Sequence, residues 1–230
     1  MVTHTQSCRC LIAVVAGAAL TSLAAGSLFT RPTAAETTHE AIASDALRAA
    51  STLDATSALS AQNVLAQMTA ADGTLRFDIA EDGTRFVWGR PVFEDSLTAH
   101  GSSYISQGYI YPEGTLSDKV DGVNADGSPA FLEKVLGQWS CNGWYIGDGT
   151  HATEGPWVIS TQLYQFGSEW GAATLISEDY VLPQTGGAIE RAITGGAGPF
   201  ANVRGQLADT NLGFNEAEGS NARDLVAFAS

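Results

Sequence analysis

From residue 72 onward the chain predicts an all-β fold, and two observations carry that expectation. Apolar and polar residues alternate over short runs, and Gly, Pro, Asn and Asp break those runs at hairpin spacing. Strands with one buried face joined by tight turns leave this pattern in a sequence. No dinucleotide fingerprint, helix–strand alternation or fixed-period repeat interrupts it. The candidate strands are Thr74–Ala80, Arg85–Trp88, Ser102–Tyr111, Lys134–Ile146, Trp157–Phe166, Ala172–Leu182, Ile189–Thr194, Ala201–Phe214 and Ala222–Phe228. Turns are expected at Glu81-Asp82-Gly83, Pro112-Glu113-Gly114, Asn124 to Gly127, Gly147-Asp148-Gly149 and Gly186-Gly187. Eight or so strands at this spacing suit a closed antiparallel β-barrel, because closure removes the edges that otherwise aggregate.

Ahead of the barrel, Arg9 is the only charge before a long apolar stretch, Leu11 to Phe29, followed by Pro32 and Thr33-Ala34-Ala35. This reads as an export signal, residues 1–35, cleaved near Ala35, which makes the protein secreted and leaves no stable membrane association. An uncleaved anchor is the alternative, since the stretch is near the ~20 residues that span a bilayer; its many Ala, Gly, Ser and Thr residues weaken anchoring. Cys8 and Cys10 leave with the signal, so Cys141 is the only cysteine of the mature chain and no internal disulfide is available to it. Residues 36–71 are rich in Ala, Ser and Thr and hold no aromatic residue, which predicts a flexible or partly helical linker before the barrel domain, 72–230.

The 230 residues are 44% hydrophobic and carry a net charge of −14. That is enough apolar content for one sizeable core, and the acidity argues against nucleic acid or an anionic membrane surface as partner.

Gly195, Gly196 and Gly198 follow the alternating stretch Ile189 to Thr194. A glycine-rich run can cradle phosphate, but those fingerprints open a helix and the nucleotide loop ends in Lys. Here Pro199 and β-type residues follow, so the run reads as a bend or barrel corner. The stretch AITGGAG with Phe200 and Gly205 resembles the glycine turn of the allene oxide cyclase barrel family, and dirigent proteins carry a similar turn. Phe166-Gly167 through Gly171 resembles that family's Phe-Gly-x-x-Gly hairpin, and Ser177 to Tyr180 follows at comparable spacing. Phe77 to Glu81 resembles the family's opening strand, and Ser140-Cys141 sits where the family has a cavity-lining cysteine. The resemblance covers about residues 72 to 228. It implies an eight-stranded antiparallel barrel, usually trimeric, with an apolar cavity and no cofactor.

In that family a first-strand glutamate polarises an unsaturated fatty-acid epoxide and an asparagine helps to hold a water. Here those positions read Asp78 and Ala80, a shorter acid and a residue that holds no water. Period-2 alternation puts Arg76, Asp78 and Ala80 on one face and Leu75, Phe77 and Ile79 on the other. The family register turns Asp78 into the cavity, where desolvation fits it for acid–base work. The other reading pairs Asp78 with Arg76 or an arginine on an adjacent strand. Glu81 is the second candidate catalytic carboxylate. Trp139, Cys141 and Tyr145 share one strand face with Trp144 opposite, and with Tyr109 and Tyr164 they are either walls of a ligand cavity or ordinary barrel core. Arg191 and Arg204 flank the glycine run and either hold a ligand carboxylate or pair with Glu190 or Asp209.

No metal site is expected. Asp148, His151 and Glu154 share a loop but match no zinc spacing, the Asp121–Asp126 loop lacks the EF-hand glutamate, and no G-x-S-x-G elbow appears. Three functions remain open: a cofactor-independent cyclase, isomerase or coupling director acting on a small hydrophobic molecule, a non-catalytic carrier of such a molecule, and a solidly packed interaction barrel.

Overall fold

The computed structural model describes residues 60–117 and 119–229. The export signal, the cleavage near Ala35, Cys8, Cys10 and the linker up to residue 59 lie outside the described residues. The helix α1 (Ala61–Met68) is capped by Ser60, whose Oγ accepts from the amide of Asn63 at 3.3 Å. It falls within the stretch expected to be linker and presents Val64 and Met68, one turn apart, to the core.

Eight strands follow: β1 (Leu75–Trp88), β2 (Ser103–Pro112), β3 (Gly137–Tyr145), β4 (Val158–Phe166), β5 (Thr174–Val181), β6 (Ala188–Ala197), β7 (Gly205–Phe214) and β8 (Ser220–Phe228). Each pairs antiparallel with the next, and β8 pairs with β1, so the sheet closes as an up-and-down barrel without an edge. The nine expected segments become eight because Thr74–Ala80 and Arg85–Trp88 are one strand. The expected turn Glu81-Asp82-Gly83 is an irregularity in β1, where the register against β2 shifts between Asp82 and Val87. Gly83 is needed there, since a Cβ would stand 1.8 Å from the carbonyl oxygen of Ala217.

The glycine run also sits inside the sheet. Ile176 pairs with Gly195 and Ser177 with Ile193, leaving Thr194 as the extra residue of a bulge. Gly198, at φ +63°, then bends the chain so closely that a Cβ would meet the Ala172 carbonyl oxygen at 1.9 Å. The run ends β6 at the lower end of the barrel, the end where β1 begins.

Leu75, Phe77, Ile79 and Glu81 face the interior, against the orientation expected for this strand, and Arg76, Asp78 and Ala80 between them face out. The reason is hydrophobic: Phe77 is fully buried among Tyr164 and Phe166, with ring centroids 5.4 and 5.5 Å away. The lower half is packed with Leu175, Leu207 and Val226, and α1, Phe200 and Phe228 close its end. The outward face of β1 is buried as well. The 113–136 connection folds back over it, and Leu116 and Val123 pack on Ala80 and Tyr111.

Candidate functional site

The upper half of the barrel holds a cavity of about 600 Å³ that opens between the 146–157 and 182–187 connections and the 215–219 turn. Its walls follow from the pleat. On β3, Trp139, Cys141 and Tyr145 point inward at period 2, and all three line the cavity. The top of β1 contributes Glu81 and Phe86, and β2 contributes Tyr104. Phe86 stacks on Tyr104 at 5.4 Å, Tyr104 meets Tyr145 edge-on at 5.5 Å, and Tyr145 meets Trp157 at 5.9 Å. These aromatic contacts fix the ring planes before any ligand arrives. Trp139 Nε1 donates to Gln162 Oε1 at 3.0 Å, whereas the indole N–H of Trp157 has no partner.

Glu81 is one of the carboxylates in the cavity wall. Its Oε1 accepts from Ser106 Oγ, and its Oε2 accepts from both the amide and the hydroxyl of Ser220 at 2.8 Å. Three donors thus converge on its two oxygens and fix the side chain in place. Burial pushes the Cys141 thiol up to about 12, so it stays a neutral thiol in the wall rather than a thiolate nucleophile. Tyr104, 3.4 Å from that sulfur, is raised well above the usual phenol range, first by burial.

Beneath Glu81 lies a charged layer that alternation alone does not reveal. Asp209 on β7 and Asp224 on β8 are direct register partners, and both point inward. Asp209 lines the cavity, while Asp224 is 0% exposed and neither of its carboxylate oxygens has a hydrogen-bond partner. Burial raises both carboxyls above the ordinary range, Asp224 the more strongly because the Asp209 charge adds to it. Arg191 on β6, whose register partner Leu207 lies two residues before Asp209, is also fully buried. Its five N–H directions go to Ser177 Oγ at 3.1 Å, the Asp179 and Tyr180 carbonyls at 3.2 and 2.8 Å, and Ser160 O and Oγ at 3.0 and 3.2 Å. It is a structural cation rather than a clamp open to a ligand carboxylate.

Several expected site residues stand elsewhere. Asp78 is outside the barrel wall, where its Oδ1 accepts from Arg223 Nε at 2.8 Å and its Oδ2 accepts from the Leu116 amide at 2.8 Å. It pins the 113–136 connection to β8, as the reading that paired it with an arginine on an adjacent strand requires. Tyr109 also faces outward and donates to the Gly127 carbonyl at 2.9 Å, because its strand turns Tyr104 and Ile110 inward instead. Tyr164 faces inward but below the cavity, fully buried and donating to Gln162 Oε1 at 2.6 Å. Arg204 is exposed at the lower end, where its Nη1 donates to the Val203 carbonyl at 2.8 Å. His151 pairs with Asp95 at 2.8 Å and stacks on Phe93. Among the described residues no group of three or more His, Cys, Asp or Glu converges as metal ligands.

No protein-family model matches the sequence, and no curated protein matches it. Solved structures similar to it include a pyocyanin demethylase, at 14% identity over 68% of this chain and 99% of that one, TM-score 0.43. A pterocarpan synthase dirigent protein is similar at 16% identity over 66% of this chain and 84% of that one, TM-score 0.44. A heme-binding cyclase of neoabyssomicin biosynthesis is similar at 13% identity over 78% of this chain and 77% of that one, TM-score 0.42. Dirigent proteins and cyclases are thus among the structural neighbours of this chain, at low sequence identity.

Proposed function

We propose that this protein is an exported barrel that takes a small apolar molecule into its upper cavity and directs its cyclisation or isomerisation, in the manner of the allene oxide cyclases and dirigent proteins it resembles. The single observation that carries the reading is the cavity of about 600 Å³, walled by pre-set aromatic rings and holding one carboxylate fixed by three donors. A pocket of that size and lining suits a compact apolar ligand. Held in a folded conformer against fixed walls, a flexible ligand loses the entropy that otherwise opposes ring closure. Glu81 is the acid–base or polarising group of this reading, in place of Asp78.

The test is mass spectrometry of small molecules released by denaturing protein purified from its native source. The expected result is an apolar molecule at near one per chain, lost when Ala222→Phe fills the cavity from the β8 wall. Chemical change of that molecule on incubation with wild type but not with Glu81→Gln supports catalysis; an unchanged molecule makes the protein a carrier. Bare protein that also fails to bind the neutral dye N-phenylnaphthylamine contradicts the proposal.

A further inference from the structure

We infer that the ligand of the upper cavity is an organic cation, a protonated or quaternary amine on an otherwise apolar frame. The inference rests on the ligand-binding role proposed above and adds the charge class.

Three charged side chains and one proton decide it. Glu81 and Asp209 line the cavity, Glu218 stands at its rim, and no Lys, Arg or His side chain lines it among the described residues. Arg191 shares the interior, but all its donors are taken by neutral oxygens and its charge acts on the Asp209–Asp224 pair. Two buried carboxyls side by side in register do not both ionise; one proton stays on the pair. The pair then carries one negative charge, and Arg191 balances it.

Glu81 has no such balance. Its two oxygens accept from three donors, it is 8% exposed, and among the described residues it makes no ion pair. A buried carboxylate with hydrogen bonds but no counter-charge is costly, and a bound cation removes that cost. The walls favour the same sign. Tyr104, Trp139, Tyr145 and Trp157 line the space, and aromatic walls of this kind accept a cation over a ring face. The chain's net charge of −14 raises the local concentration of cations before they enter.

Three fluorescent probes on one tricyclic frame test this: methylacridinium, its neutral isostere methylanthracene, and anthracene carboxylate, each titrated against the full chain. The expected order is cation over neutral by about tenfold, with the anion weakest. In Glu81→Gln the cation-to-neutral ratio falls to near unity. Equal or tighter binding of methylanthracene to the wild type overturns the inference, as does a ratio that survives in folded Glu81→Gln. If Glu81→Gln does not fold, the order of the three probes on wild type decides alone. Failure of the cavity itself looks different, since none of the probes then binds saturably; that result overturns the proposed function and this inference together.

Discussion

The lower half of the barrel interior is filled and the upper half is hollow, although the same eight strands build both. Below, Phe77, Tyr164, Phe166, Leu175, Leu207 and Val226 are buried in mutual contact, and α1 closes the end. Above, the inward positions turn to Glu81, Ser106, Cys141 and Asn211, with aromatic residues set around a space rather than across it. Between them lies the Arg191, Asp209 and Asp224 layer. The contrast shows that inward alternation makes a wall, and only the size and polarity of the inward residues decide whether that wall encloses a core or a site.

Breaking the packed half has the largest expected effect. Phe77→Ala removes two edge-to-face partners and leaves a void, and it is expected to cost about 3–5 kcal/mol in urea unfolding. A loss below about 1 kcal/mol places the stability of the fold elsewhere.

The charged layer sharpens the comparison with a gain rather than a loss. Burial raises the Asp224 carboxyl in the folded chain well above its unfolded value. The folded chain therefore binds more protons than the unfolded chain between the two values, and stability falls as pH rises through that window. Asp224→Asn has no proton to lose and keeps the shape. It is expected to exceed wild type by roughly 1–3 kcal/mol at about pH 8 and to converge with it near pH 4. A difference that does not change with pH contradicts the account of this pair.

The smallest effect belongs to the residue outside the wall. Asp78→Asn keeps an acceptor for the Leu116 amide and loses the charge opposite Arg223, whose side chain is 35% exposed and rehydrates. Asp78 itself is buried, but rehydration of Arg223 limits the loss to about 1–2 kcal/mol. The mutation leaves N-phenylnaphthylamine affinity unchanged, and a large loss of dye binding returns Asp78 to the cavity.

The barrel was legible because a half-buried strand writes itself at period 2, and all seven connections between the eight strands carry Gly, Pro, Asn or Asp. Trp139, Cys141 and Tyr145 were legible for the same reason. The first strand misled because both of its faces are buried. The 113–136 connection covers Asp78 and Ala80, so a carboxylate on the polar face is as buried as one inside, and resemblance to another chain's register chose the wrong side. The apolar face of Leu75, Phe77 and Ile79 was the better guide. Asp224 was missed because apolar residues stand on both faces of its strand, Ala222 and Val226 beside it and Leu225 and Ala227 opposite, so alternation does not say which face turns inward. Only the register across β7 and β8 sets it beside Asp209. The bulge in β1 was read as a turn because Glu-Asp-Gly has turn composition, while the close approach of the Ala217 carbonyl that needs Gly83 is a contact between distant parts of the chain.

The central claim is that the hollow upper half is a ligand site. Its most direct test is saturable binding of N-phenylnaphthylamine to wild type and to Ala222→Phe, whose added ring enters from the cavity wall. The account predicts one dye bound per wild-type barrel and none in the folded variant. Equal binding in the two, or no saturable binding to wild type, contradicts it.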